Sequence, residues 1–439
     1  MKTIWREHER KIVLYFFVLL RFFPWALFLV NYGPQIAPDS GTYRYGFLDF
    51  SPLDSHRGPA ITIPYSLMPG DLAISIFQWI LLTFIGVKLL GEALKIESKL
   101  KYLLIVGIFS LLNSPTVSVW DVWILSHSLA ISYNLFALYF TLKFCQNHSS
   151  RSLVLANLFI LLSSLTRPNN IVFLFLFTTY SLYTLVRKEN DFKEISKRYT
   201  AFLLIAFLLL SASINAYERT KWSPKQPIAI LPYIMQEGVP VASHIIRETK
   251  SDPNIPNCTF PDTPLTAKNA DFFSQLTSTC PAGVVWLEKE FSAWYLRMFL
   301  SNPKYAFSQF SFGAVVSLGY PTDYGSRFVT FLPSTIASLF MGSPVFSQNG
   351  ANFPIFFWFI VTGVILLVKL PNRSRRTTTN IQENNVGSLI ALCLSMTIST
   401  IISIVYQSHG DSFRLYIDNQ VLILLSLLAI LVYKMKESK

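Results

Sequence analysis

A short stretch near the N-terminus concentrates side chains that could carry out proton and phosphate chemistry. Residues 37–45 read Ala-Pro-Asp-Ser-Gly-Thr-Tyr-Arg-Tyr, and residues 48–59 read Leu-Asp-Phe-Ser-Pro-Leu-Asp-Ser-His-Arg-Gly-Pro. Their ionisable side chains are Asp39, Asp49, Asp54, Arg44, Arg57 and His56. A partly desolvated carboxylate suits a general base, and a guanidinium group donates two parallel hydrogen bonds to a phosphate. The stretch therefore indicates a site where a proton is removed beside a bound phosphate.

The elements that must position these side chains are membrane helices. Of the 439 residues, 51% are hydrophobic and only 14% are charged, and the mean hydropathy is +0.41. Soluble domains carry about 25% charged residues, so this chain has too little polar surface to cover itself in water. Because a span needs roughly 20 apolar residues, we predict an all-α polytopic protein with about ten transmembrane helices. The predicted spans are 12–31, 72–91, 102–118, 122–142, 152–166, 170–186, 200–217, 355–369, 388–406 and 417–433.

The distribution of Lys and Arg predicts how these spans are oriented. The net charge is +12, and the basic residues lie in clusters between alternate spans, so the charge reflects topology and not nucleic-acid binding. The first apolar run lacks a small-residue cleavage site and is predicted to be a retained helix. We expect a cytoplasmic N-terminus in the cytoplasmic membrane. The outer side then receives a first loop, 32–71, and a long segment, 218–354.

These boundaries divide the chain into three predicted parts. Residues 1–217 form an N-terminal transmembrane module, residues 218–354 an extracytoplasmic segment with interfacial helices, and residues 355–439 the C-terminal helices. Cys258 and Cys280 both lie in the extracytoplasmic segment, where they form either a disulfide or two unpaired thiols. Cys145 and Cys393 lie at or within spans and are interpreted as packing residues.

Two elements of the first outer loop resemble the GT-C superfamily of polytopic membrane glycosyltransferases. Residues 38–43 (Pro-Asp-Ser-x-x-Tyr) follow the first span, and residues 57–59 (Arg-Gly-Pro) precede the second. The superfamily includes the dolichyl- and undecaprenyl-phosphate mannosyl- and arabinosyl-transferases, which use polyprenyl-phosphate sugars at the outer face of the membrane. The resemblance implies that Asp39 is the catalytic base and that Arg57 contacts the donor phosphate. It also implies a second acid, for which Asp49 and Asp54 are equal candidates.

Three further elements resemble the same superfamily. Residues 126–129 (Ser-His-Ser-Leu) begin the fourth predicted span, with His127 where relatives often have an acid. Residues 166–169 (Thr-Arg-Pro-Asn) resemble its Arg-Pro turn, and residues 409–416 (His-Gly-Asp-Ser-Phe-Arg-Leu-Tyr) resemble an Arg-Tyr element before the last span. The resemblance adds Arg44, Arg167 and Arg414 as phosphate-binding candidates. His56, His127 and Tyr43 are candidates for a polar site.

Structural alternatives remain open for several of these residues. Asp39 precedes Ser40-Gly41 and could simply form an Asx-turn, and Arg57 could be an interfacial anchor reaching lipid headgroups. His56 could be an ordinary polar loop residue. The aromatic residues are interpreted as an interfacial belt and not as a sugar-binding platform; they include Trp120, Trp123 and Trp358.

Arg21 is unusual because it lies in the middle of the first predicted span, beside Pro24. A charge at that depth costs about 2.5–3.5 kcal/mol on insertion scales. Two arrangements avoid this cost. Either Arg21 faces a polar cavity or a partner, or residues 12–21 form an interfacial helix and the span begins later.

The sequence thus predicts an inverting glycosyltransferase that moves a sugar from a polyprenyl-phosphate donor to a cell-envelope glycan, glycolipid or protein acceptor. No cofactor is expected. A divalent metal held by Asp39, Asp49 and His56 is a weaker alternative, because their spacing is not a recognised ligand set. A transporter or flippase of a lipid-linked saccharide and a non-catalytic scaffold are the alternative functions.

Overall fold

The computed structural model describes most of the N-terminal half of the chain and two C-terminal helices. The described residues are 2–36, 40, 43, 58–96, 101–167, 170–186, 194–222, 256, 277–290, 294, 297, 300, 301, 303, 346, 347, 350, 351, 380–407 and 417–437. Among the predicted site residues, Tyr43, His127, Arg167 and Cys280 fall within this set. The others lie outside the described residues: Asp39, Arg44, Asp49, Asp54, His56, Arg57, Cys258 and Arg414.

The described chain is almost entirely helical. Its helices are α1 (Lys2–Tyr32), α2 (Pro59–Ser66), α3 (Asp71–Leu94), α4 (Lys101–Leu112), α5 (Pro115–Ser118), α6 (His127–Asn147), α7 (Ser150–Thr166), α8 (Ile171–Val186), α9 (Glu194–Trp222), α10 (Pro281–Lys289), α11 (Asn380–Gln407) and α12 (Ile417–Glu437). A 3₁₀ turn, Val119–Asp121, precedes α6. Two short strands, β1 (Phe346–Ser347) and β2 (Gly350–Ala351), pair antiparallel.

Four described helices are long and apolar enough to cross a membrane, by length and composition. They are His8–Tyr32, Asp71–Leu94, His127–Asn147 and Ser196–Ile214. Shorter apolar helices occupy Lys101–Leu112, Ser150–Thr166, Ile171–Val186, Val386–Thr400 and Asn419–Lys434. Every predicted span therefore coincides with an apolar helix, apart from 355–369, which the structure does not describe. The helical membrane character predicted from the sequence is confirmed at this level.

The predicted boundaries of the third and fourth spans are wrong. The helix in 102–118 ends at Leu112, and the helix in 122–142 begins only at His127. Asn113 and Pro115 explain the early end. The side-chain amide of Asn113 donates to the carbonyl oxygen of Phe109 at 2.9 Å, and Pro115 has no N–H to continue the helical bonding. Residues 113–126 form an irregular connection that we call the 113–126 segment.

The 113–126 segment is buried although it carries many polar groups. Every residue in it whose burial is described is buried, except Trp123, which is partly exposed. Non-helical backbone at membrane depth is tolerated where it is enclosed by protein or lines a cavity, because its N–H and C=O groups need partners. The surrounding helices must therefore supply hydrogen bonds to this segment.

The helices around the segment pack on a central α6. Its apolar stretch is 83% buried, against 22% for α1 and 17% for α9. Helix α6 packs against α3, α7 and α12, and the rings of Phe136 and Phe159 stack with centroids 4.5 Å apart where α6 meets α7. The apolar side chains left exposed on α1 and α9 are suited to contact lipid.

The chain divides into two compact units. One comprises Met1–Asn215, Leu318–Ser399 and Phe413–Lys439, and the other comprises Ala216–Ser317 and Thr400–Ser412. In the second unit Cys280 is disulfide-bonded and caps α10, since its sulfur accepts a hydrogen bond from the backbone N–H of Gly283 at 3.1 Å. In the first unit Cys145 and Cys393 are buried thiols, consistent with their interpretation as packing residues.

Candidate functional site

A buried polar cluster surrounds Arg21 near the middle of α1. The guanidinium Nε donates to Thr83 Oγ1 at 3.0 Å, and Nη1 donates to the carbonyl oxygen of Leu112 and to Ser118 Oγ, the latter at 3.5 Å. Nη2 forms an ion pair with Asp121 Oδ2, and the side chains of the two residues are 0% and 1% exposed. Of the two arrangements expected for Arg21, the one with a partner is correct, and α1 continues without interruption through residues 12–21.

Asp121 extends this cluster from α1 to two further helices. Its second carboxylate oxygen accepts a hydrogen bond from Ser128 Oγ in α6 at 3.0 Å. Its carbonyl oxygen accepts one from Ser75 Oγ in α3 at 2.7 Å, and Ser75 in turn accepts from Trp25 Nε1 at 3.2 Å. Sequence reasoning missed Asp121. A signal was available, because a charge in the middle of a span calls for an opposite charge, and Asp121 lies beside a predicted span.

Residues 122–124 of the 113–126 segment hydrogen-bond to the chain that follows α1. The backbone N–H of Gln35 donates to the carbonyl oxygen of Val122 at 2.8 Å, and the N–H of Ile124 donates to the carbonyl oxygen of Gln35 at 3.0 Å. Ser40 Oγ donates to the carbonyl oxygen of Ile124 at 2.8 Å. Ser40 directly follows Asp39 in the sequence, so the chain position next to the predicted base is attached to this segment.

Two tyrosines lie beside the same region: Tyr65 in α2 and Tyr43 in the chain that precedes α2. The hydroxyl group of Tyr65 donates to the carbonyl oxygen of Leu125 at 2.9 Å. Gln78 Nε2 in α3 donates to the Tyr65 hydroxyl and to the carbonyl oxygen of Trp123, the latter at 3.2 Å. Tyr43, one of the predicted polar residues, is buried with its ring centroid 6.3 Å from that of Tyr65. Sequence analysis did not identify Tyr65 or Gln78, since both lie in apolar runs.

The chain just before α2 meets the end of α7. Gly58, which follows Arg57 in the sequence, packs so closely that a Cβ atom there would overlap the carbonyl oxygen of Leu165. Arg167 lies two residues after Leu165 and is buried. It ends α7, and its backbone N–H donates to the carbonyl oxygen of Ser163 at 2.9 Å. The structure thus brings the neighbour of Arg57 to the turn that carries Arg167.

His127 and Trp120 form a stacked pair at the start of α6. Their ring centroids are 4.0 Å apart and the interplanar angle is 12°. Both side chains are buried, with Trp120 only 1% exposed. The interpretation of Trp120 as part of an interfacial belt is therefore wrong, because its indole ring stacks on the imidazole of His127 in the buried interior. Trp123 is partly exposed, and Trp358 lies outside the described residues.

A second buried polar cluster joins α6, α7, α12 and the start of α8. Four side chains form a closed cycle of hydrogen bonds. Asn134 Nδ2 donates to Asn419 Oδ1 at 3.5 Å, and Asn419 Nδ2 donates to Asn170 Oδ1 at 3.2 Å. Asn170 Nδ2 donates to Ser163 Oγ at 2.9 Å, and Ser163 Oγ donates to Asn134 Oδ1 at 2.7 Å. This asparagine cycle attaches the last helix to the α7 turn that ends at Arg167.

Comparisons with protein-family models, with characterised proteins and with solved structures find no match. The GT-C resemblance therefore depends on the motifs of this chain alone. The geometry adds that Gln35 and Ser40 bond to the 113–126 segment and that Gly58 contacts the end of α7.

Within the described part of the chain, no group of three His, Cys, Asp or Glu side chains could hold a metal ion. The residues of the weaker metal hypothesis, Asp39, Asp49 and His56, lie outside that part.

Proposed function

We propose that this protein transfers a sugar from a polyprenyl-phosphate carrier to a hydroxyl group of a cell-envelope glycan or glycolipid at the outer face of the cytoplasmic membrane. The supporting observation is the hydrogen bond from Ser40 Oγ to the carbonyl oxygen of Ile124. This bond ties the chain beside Asp39 to a buried, polar, irregular segment. A loop that carries a catalytic base needs such a rigid attachment, because small displacements of reacting groups cost large factors in rate.

In the proposed reaction Asp39 is the general base. Its carboxylate takes the proton from the acceptor hydroxyl while the oxygen attacks the anomeric carbon. The bond between that carbon and the phosphate oxygen breaks, and its electron pair leaves with the polyprenyl phosphate. One displacement inverts the configuration at the anomeric carbon. Asp49 or Asp54 serves as the second acid, and His56 is a polar residue available to the acceptor, whereas His127 and Tyr43 are buried.

The arginines act on the leaving group in this proposal. Arg57 contacts the donor phosphate, and Arg44, Arg167 and Arg414 are the further candidates to neutralise its growing charge. Fixed cationic donors aimed at developing charge supply a large share of enzymatic rate enhancement. The proximity of Gly58 to Leu165 supports this role for Arg57 and Arg167, because each is one or two residues from that contact.

The test is the Asp39→Asn variant, assayed with radiolabelled polyprenyl-phosphate sugars by loss of label from the lipid. We expect transfer to fall by about 10²–10⁴-fold, the usual contribution of a general base, with normal expression and membrane insertion. Asp71→Asn is the matched control, since Asp71 is an acid at the start of α3 outside the proposed site. Near-normal transfer by Asp39→Asn would remove the base assignment.

A transporter or flippase of a lipid-linked saccharide is the second candidate. The Arg21–Asp121 pair favours it, because ionisable residues at membrane depth are typical of transport pathways. A transporter needs no base and releases no polyprenyl phosphate. Translocation of the labelled lipid without release of polyprenyl phosphate, and with Asp39→Asn unimpaired, would establish it.

A further inference from the structure

We propose that the Arg21–Asp121 ion pair positions the first outer loop, acting through the 113–126 segment. Only the catalytic consequence, that the positioned loop carries the base, rests on the proposed function. In this role Arg21 and Asp121 are positioning residues, and neither touches the substrate. They control where the chain next to Asp39 lies.

One guanidinium group bonds both to the end of α4 and to the 113–126 segment that follows it. Arg21 donates to the carbonyl oxygen of Leu112, where α4 ends, and to Ser118 in α5. It then pairs with Asp121 in the following 3₁₀ turn. Thr83 anchors the guanidinium group to α3 at 3.0 Å. One side chain therefore bonds to residues 112, 118 and 121 along the path from α4 to the 3₁₀ turn.

The residues directly after Asp121 are hydrogen-bonded to the first outer loop. Val122, the residue after Asp121, accepts the backbone hydrogen bond from Gln35 at 2.8 Å. Ile124 returns a bond to Gln35 at 3.0 Å and accepts one from Ser40. A shift of Asp121 must therefore move the two carbonyl groups on which the loop is fastened.

The charges of the pair are not required for stability alone. Replacing a buried ion pair by apolar side chains of similar volume is often neutral or stabilising. What apolar side chains do not supply is hydrogen bonds to the Leu112 carbonyl and the Ser118 hydroxyl, which fix the irregular backbone in one conformation. The pair is thus better suited to define a geometry than to add stability.

The test measures the loop contact itself, by cross-linking in the full chain. Gln35 and Trp123 are partners in a parallel β-bridge, so the Gln35→Cys/Trp123→Cys pair reports whether the loop lies on the segment. In the Arg21→Met/Asp121→Leu variant we expect the rate of oxidative cross-linking to fall by about tenfold. A rate within about twofold of the parent pair would overturn the proposal.

A milder pair of variants keeps the test valid if the double substitution does not fold. Thr83→Val removes one acceptor from Arg21 with little change in shape, and we expect a fall of about threefold in the cross-linking rate. Thr178→Val is the matched control. Thr178 is equally buried and donates to Asn157 Oδ1 at 2.9 Å, away from the segment. Equal cross-linking rates in the two valine variants would also overturn the proposal.

Transfer kinetics give the functional readout. A displaced base lowers kcat and leaves the KM for the polyprenyl-phosphate sugar unchanged, so Thr83→Val should lower kcat by about threefold at constant KM. A change in KM alone would contradict positioning of the base. If the parent protein transfers no sugar, the proposed function fails, while the cross-linking result still decides whether the ion pair positions the loop.

Discussion

Replacing Arg21 with methionine should destabilise the protein by about 4 kcal/mol, because breaking one partner of a buried ion pair typically costs 3–5 kcal/mol. The structure justifies a value in the middle of this range. Asp121 is 1% exposed, so the uncompensated carboxylate has no access to water, yet it retains the hydrogen bond from Ser128 at 3.0 Å. The carbonyl group of Leu112 also loses its charged donor.

The double variant Arg21→Met/Asp121→Leu separates this cost from a simple loss of packing. With both charges absent, no buried charge remains unpaired, and we expect stability within about 1–2 kcal/mol of the parent protein. Since either single substitution leaves one buried charge unpaired at a cost of about 4 kcal/mol, the two substitutions should couple by roughly 6 kcal/mol. This coupling is the quantity that identifies an ion pair, because independent packing defects would add.

The assay is unfolding in mixed micelles titrated with dodecyl sulfate, followed by tryptophan fluorescence and helical circular dichroism. Arg151→Met is the matched control. Arg151 is exposed at the start of α7, so this substitution should change the free energy of unfolding by less than about 0.5 kcal/mol. A cost for Arg21→Met below about 1 kcal/mol, or a double variant as unstable as the summed single variants, would refute the ion-pair argument.

Two further predictions concern contacts between helices. Gly58→Ala should lower the free energy of unfolding by about 1–3 kcal/mol, since its methyl group overlaps the carbonyl oxygen of Leu165; an unchanged thermal midpoint in detergent would contradict this close approach. Asn419→Leu should lower it by about 1–2 kcal/mol, because it removes one hydrogen bond each from Asn134 and Asn170; resistance to dodecyl sulfate equal to that of the parent would show that the cycle contributes nothing.

The approximate positions of the apolar helices follow from the sequence because hydrophobic length is a local property. A run such as 72–91 predicts a span whatever it packs against, and the structure has Asp71–Leu94 there. The predicted site is less complete. Tyr43 is buried beside Tyr65 of α2 and Arg167 is buried at the end of α7, while the roles of Asp39 and Arg57 stay predictions.

Only the tertiary structure decided which polar side chains meet inside the membrane. Arg21 and Asp121 are 100 residues apart, and Asn134 and Asn419 are 285 residues apart. Composition shows that an intramembrane charge needs a partner, but the choice of partner depends on which helices pack together and where an irregular segment passes between them. The same dependence explains the wrong boundary at residues 113–126. Apolar and small residues there resemble a span, and their conformation is fixed by hydrogen bonds from α1, α2 and α3.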